Sequence, residues 1–197
     1  MRTSTIAMAL AMLSLTGAAQ AAPCVDAKSA KAGFVLEKPG IRSEFRQAPG
    51  GMVAVANNYQ SQSPQTQYLY AGLIEVFRDS DTGRLSMIPL GDIKKLFPLK
   101  AGAKSKTEFV QLSTKKAPKG TETLALAVKG KETLSLGECK YSVLAVSETT
   151  TSDTGAVIDT FTALYSPDLQ AVLARRYDEG TSAQSQVGFE TIKPLPE

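Results

Sequence analysis

Apolar and polar residues alternate along most of this chain in short runs rich in β-branched and aromatic side chains, and Gly, Pro, Asp or Ser ends nearly every run. Side chains on a strand alternate between faces with a period of two, so such runs predict half-buried strands. Strands are expected over residues 34–37, 41–46 and 52–57, with turns at Pro39-Gly40 and Pro49-Gly50-Gly51. Residues 58–66 are rich in Gln and Ser, contain Pro64 and read as a surface loop. Residues 67–78 and 84–89 read as a hairpin closed by Ser80-Asp81-Thr82-Gly83. One helical turn is expected across 91–97, capped by Asp92 and ended by Pro98. Further strands follow at 104–112, at 122–128 and 132–136 joined across Gly130, and at 140–149 paired with 156–165 around Ser152-Asp153-Thr154-Gly155. The segment 186–193 reads as a final strand.

One segment carries two patterns. Ser166-Pro167-Asp168 ahead of Leu169, Val172 and Leu173 fits a helix start with helical spacing, yet the same residues make a good tight turn. Its position between two strand-like runs favours turn plus strand. The fold class expected is therefore mainly β: an antiparallel meander forming an open or closed barrel or a strongly curved sheet, with at most one or two short helices.

The first residues follow a different pattern. Met1-Arg2 precedes an uncharged apolar run over 6–15, and Ala19-Gln20-Ala21 has the small-x-small spacing of a signal-peptidase site. A bilayer-spanning helix needs about 20 apolar residues, and this run has roughly half that number. Residues 1–21 are therefore expected to be a cleavable signal peptide, and residues 22–197 a single β-rich domain exported to the periplasm of a Gram-negative cell. Ala21-Ala22-Pro23-Cys24 fits a lipid-attachment site poorly.

Charge changes the picture only locally. The chain holds 22 Lys and Arg against 19 Asp and Glu, so no global field steers a partner. Residues 94–131, by contrast, carry ten Lys and two acids, whereas 132–197 carry four basic and ten acidic residues. Lys94, Lys95, Lys100, Lys104, Lys106, Lys115, Lys116 and Lys119 form a candidate patch for an anionic envelope ligand. The alternative is that these lysines decorate solvent faces and guard strand edges. Nucleic acid is an unsuitable partner: the patch has no Arg and few interleaved aromatics.

Two cysteines, Cys24 and Cys139, are expected to pair as a disulfide in an exported chain, pinning the mature N-terminus to the start of the strand at 140–147. The chain has no His, which excludes Ser-His-Asp and Cys-His catalysis within it and leaves no cofactor or transition-metal site expected. The two Asp-Thr-Gly triplets at 81–83 and 153–155 resemble the loops of aspartic proteases, but polar residues precede them where an apolar strand is needed. They read instead as hairpin tips whose Gly takes positive φ. Tyr68, Tyr70 and Phe77 are candidate cavity-lining aromatics, Tyr68 and Tyr70 sharing one strand face.

Phe97–Gly102, Gly130–Leu134 and Tyr165–Leu169 give a Phe-Pro-Leu-Lys-x-Gly start, a Gly-x-Glu-x-Leu strand and a Tyr-Ser-Pro-Asp-Leu turn. In these segments the second half of the chain resembles uncharacterised signal-peptide-bearing periplasmic β-rich proteins of proteobacteria. The resemblance implies location and β architecture and no activity. Three function classes are carried forward. The first is a non-enzymatic envelope-associated assembly or interaction factor. The second is a carrier of a lipid or other apolar ligand in the concavity of a curved sheet. The third is a carboxylate-based hydrolase, which needs two acids converging in a cleft.

Overall fold

A computed structural model describes residues 24–115 and 120–196. Its strands are β1 (Phe34–Lys38), β2 (Ile41–Ala48), β3 (Met52–Tyr59), β4 (Gln65–Tyr70), β5 (Ile74–Ser80), β6 (Gly83–Pro89), β7 (Lys104–Ser113), β8 (Thr121–Leu136), β9 (Cys139–Ser152), β10 (Val157–Ser166), β11 (Ala171–Tyr177), β12 (Ser185–Gly188) and β13 (Thr191–Pro194). They form one 13-stranded sheet in which β1 to β12 pair in chain order and β13 pairs with β1. The ladders whose register is defined are all antiparallel. Short 3-10 turns at Ser29–Ala32, Pro49–Gly51 and Ile93–Leu96 are the helical content of the described residues. Asp92 caps the last of these, its side chain accepting from the Lys94 N–H at 3.0 Å. The expected β meander is what forms, and its ladder does not close on itself. Residues 167–170 are a turn and β11 follows them, as the context of that segment implied.

Two departures from the sequence reading decide the shape. The run at 67–78 is not one strand, because Ala71-Gly72-Leu73 reverses it between β4 and β5. Apolar residues continue straight through the reversal, and Ala-Gly is a weaker hairpin signal than Asn-Gly or Asp-Gly. Here Ala71 and Gly72 both take positive φ, 49° and 71°. A Cβ on Gly72 would lie 1.6 Å from the Gln170 carbonyl oxygen, so only glycine lets the two turns meet. The Tyr165 hydroxyl seals this contact by donating to the Ala71 carbonyl at 2.6 Å.

The second departure is at the C-terminal end, where the run at 186–193 splits into β12 and β13 on opposite edges of the sheet. Only Phe189 and Glu190 separate them. The Phe189 N–H donates to the Leu173 carbonyl at 3.1 Å, and the Glu190 N–H to the Glu37 carbonyl at 2.8 Å. One extended segment therefore changes partner from β11 to β1. At 3.8 Å per residue the link from Gly188 to Thr191 spans at most about 11 Å, so the two edges must curl towards each other. β11 and β1 are each capped by one half of the same clasp, which leaves only the four-residue strands β12 and β13 at the outer edges.

Two buried clusters fill the curl. The first joins Phe34, Leu36, Phe45, Val53 and Val55 of β1 to β3 with Tyr141, Val143, Leu164, Leu169 and Leu173. Phe34 and Phe45, directly paired across β1 and β2, stack with centroids 4.8 Å apart. The second cluster joins Ile74, Phe109, Leu126, Val128, Leu144, Val146 and Tyr165. β9 serves both, giving Cys139, Tyr141, Val143 and Ala145 to the first and Leu144 and Val146 to the second. Residues 143–146 are buried on both strand faces, which is why their sequence is continuously apolar instead of alternating. Its partner β8 accommodates the switch with a bulge between Val128 and Gly130.

The expected disulfide is present: Cys24 and Cys139 are bonded, with Cα atoms 5.7 Å apart. It carries the N-terminal segment onto the first cluster, where Val25 is buried. The predicted signal segment at 1–21 lies outside the described residues, as do Lys116 and Lys119.

Candidate functional site

Pairing register puts the polar residues of β2 to β5 on the same face as the apolar side chains of the two cores. Ser43 stands opposite Asn57, and Val55 opposite Gln67. These positions would be apolar in a closed core. Here they form a chain of hydrogen bonds instead. The Ser43 hydroxyl donates to Asn57 Oδ1 at 2.6 Å, and Asn57 Nδ2 donates to Gln67 Oε1 at 2.9 Å. Gln67 Nε2 then donates to Glu75 Oε2 at 3.0 Å. Arg78 closes the chain with two N–H bonds to Glu75, at 2.6 and 2.5 Å. Each polar group has a partner, which is the condition under which such a ladder survives inside a protein.

Two adjoining cavities open beside this ladder. The first, about 260 Å³, is walled by Phe45, Val55, Leu69 and Leu173 and edged by Lys38 and Asn57. The second, about 290 Å³, is walled by Met87, Phe109, Leu124 and Phe161 and carries Glu122, Glu148 and Asp159. Gln67, Leu73, Glu75 and Arg175 line both. Each volume falls just below the usual range for a small-molecule site, about 300–1,000 Å³, and the two, sharing part of their lining, reach it together.

Glu148 is the unusual group. It stands on β9 between Leu126 of β8 and Phe161 of β10 and is only 8% exposed. Burial pushes its carboxyl up to about 7; Arg175 pulls it back and Asp159 pushes it further up. The Arg175 guanidinium lies 4.4 Å over the Phe161 ring, a stacked placement that leaves its charge at the junction of the two cavities. Chemically the site can accept hydrogen bonds, balance charge and bury an apolar body. Glu148 and Asp159 also meet the first requirement of carboxylate hydrolysis, two acids in one cleft, of which one has a raised pKa. They stand on adjacent strands of one wall, Glu148 facing Phe161 and Asp159 facing Thr150 in the ladder. Among the described residues no group of three or more His, Cys, Asp or Glu is arranged to hold a metal ion.

The residues singled out in the sequence lie elsewhere. Tyr68, Tyr70 and Phe77 are not among the lining residues of either cavity. Tyr68 is 38% exposed and meets Phe77 edge-on at 6.0 Å, while Tyr70 packs against Phe97 at 5.5 Å. Tyr68 and Phe77 pair in the ladder, and strand parity places them on the face opposite their neighbours Gln67 and Arg78. The lysines do not converge on one spot. Lys94 and Lys95 lie in the 3-10 turn, and Lys104 and Lys106 flank a shallow outer groove over Ala125 and Ala127. Lys115 lies at the other end of β7, beside Gly83, about 30 Å away at 3.3 Å per residue.

Composition missed Glu148, Arg175 and the ladder, yet each had a signal. Counting by twos from Leu144 and Val146 puts Glu148 on the inner face, and Ser43, Asn57 and Gln67 interrupt apolar alternation at inward positions.

No family model matches this chain, and no curated protein matches it in sequence. Among solved structures it is similar to the crystal structure of the hypothetical lipoprotein YmcC from Escherichia coli K12. The TM-score is 0.49 at 15% identity, over 87% of this chain and 90% of that one.

Proposed function

We propose that this protein is an exported, non-enzymatic binding protein of the bacterial envelope that holds a small amphipathic molecule in the concavity of its curved sheet. The observation that carries the reading is the pair of adjoining cavities, about 260 and 290 Å³, lined by an apolar wall on one side and a satisfied polar ladder on the other. A chain folding only to present its outer surface has no use for polar side chains at these inward positions, since apolar residues there would fill the space and stabilise the fold. The disulfide fits an oxidising compartment, and the periplasm is the one the N-terminal sequence points to. Binding is favoured over hydrolysis because Glu148 and Asp159, the acid pair with one raised carboxyl, stand on adjacent strands of a single wall.

A second reading, docking to an envelope protein, draws support from the outer face of β6 and β7. Ile88, Leu90 and Leu112 are 46%, 55% and 40% exposed there, an apolar patch on a face with no core against it.

Native mass spectrometry of the mature protein, purified gently from its own periplasm, tests the first reading. Added mass of a small molecule, lost on denaturation and reduced by Leu124→Trp, is the expected result. A clean apo mass together with co-purification of a partner, abolished by Leu112→Asp, would transfer the function to the outer patch.

A further inference from the structure

The two cavities differ in charge, and the second is the more specific. Its lining holds four carboxylates, Glu75, Glu122, Glu148 and Asp159, and two guanidinium groups, Arg78 and Arg175. Arg78 is committed to Glu75 by two N–H bonds. Three carboxylates therefore face one guanidinium, and that guanidinium is stacked on Phe161 with no carboxylate of a described residue within 4.0 Å. Among the described residues, Glu148 makes neither a hydrogen bond nor an ion pair, although it is only 8% exposed and lines the cavity. A carboxylate largely removed from water without a protein partner is costly, and the contact it keeps is through the cavity, where a ligand can supply the donors it lacks.

We propose that the second cavity takes the ammonium end of an amphipathic amine, with Glu148 accepting its N–H and Asp159 and Glu122 adding charge. The proposal rests on the small-molecule reading above and names its ligand class. The excess of carboxylates around the cavity favours a cation and disfavours a fatty-acid or phosphate head. An ammonium brings the donors that Glu148 lacks, in charge-assisted form. Leu85, Met87 and Leu124, also in the lining, receive the alkyl body. Arg175 from β11 and Asp159 from β10 act on Glu148 directly, while Glu122 from β8 and the Glu75–Arg78 pair from β5 line the same cavity. Since burial holds the Glu148 carboxyl near neutrality, the amine must bind better as that group ionises.

Calorimetric titration of the mature protein with octylamine, octanol and octanoate tests this, because the three share a tail and differ in head. The expected result is octylamine binding roughly tenfold tighter than either competitor, with the preference growing from pH 5.5 to pH 8 and abolished in Glu148→Gln. Asp159→Asn, at an exposed position that does not threaten the fold, should weaken octylamine several-fold and leave octanol unchanged. Equal binding of all three, tighter octanoate, or a preference unaffected in both variants would overturn the amine assignment while leaving the cavity reading intact. No binding of any probe, with a clean apo mass, would overturn both.

Discussion

The two cores are built on opposite faces of one strand, and they obey different rules. In the first, β9 contributes Tyr141, Val143 and Ala145 to a cluster closed by Phe34, Leu36, Phe45 and Val53, all at most 7% exposed. The disulfide ties the N-terminal segment over it. In the second, the strand contributes Leu144 and Val146, but many of the surrounding apolar residues, Val76, Met87, Leu124 and Phe161 among them, are only partly buried. Both cores border a cavity, but that of the first is walled mainly by its own buried apolar residues, whereas that of the second gathers the carboxylates. The lesson is one of division of labour: the more tightly buried side supplies most of the stability, and the charged side sets what can bind.

Cavity-forming substitutions should break the symmetry most visibly. Phe34→Ala removes a stacked, buried ring and is expected to cost about 4 kcal/mol, whereas Met87→Ala, on a wall already facing a void, should cost about 1 kcal/mol. Chemical denaturation of the two variants measures the difference, and equal losses would dissolve the distinction between the cores. Cys139→Ser comes next. It frees a loop with a sequence separation of 115 residues and unpins Val25 from the first core. A loss of about 3 kcal/mol is expected in the oxidised protein, and it should be absent when wild type and variant are compared under reducing conditions. A comparable but pH-dependent effect belongs to the second core. The carboxyl of Glu148 is raised from 4.5 to about 7, so between those values the folded protein retains a proton that the unfolded chain has released. Stability from this group is therefore full below pH 4.5 and is lost as pH rises through 7, by up to about 3 kcal/mol. Glu148→Gln should flatten the profile in that window, and a bound amine should flatten it too.

Much of the strand order was legible because turn chemistry is local. Pro39-Gly40, the two Ser-Asp-Thr-Gly tips and the Tyr-Ser-Pro-Asp-Leu turn each end a run of alternating residues, and each closes a hairpin in the structure. The reversal at Ala71-Gly72 was hidden because its glycine is required by a distant partner, the Gln170 backbone, and not by its neighbours. The candidate site was less legible for the same reason. Tyr68 and Phe77 drew attention as large aromatics, but strand parity turns them outward. Glu148 and Arg175 are ordinary in their local sequence and become notable only when β9, β10 and β11 place them around one space.

Period-two alternation and turn residues, which act within a few residues, were enough by themselves to determine a β meander with two cysteines available to pair. Which face of each strand became core, which became cavity, and how the edges were joined depended on contacts between segments far apart in the chain. The partner switch at Phe189-Glu190 shows why: the run at 186–193 has a strand's pattern throughout, and only the meeting of β11 with β1 decides that it serves two edges. The charge of the cavity follows from that curl, because side chains spread over β5 to β11 share a field only after the sheet has bent around them.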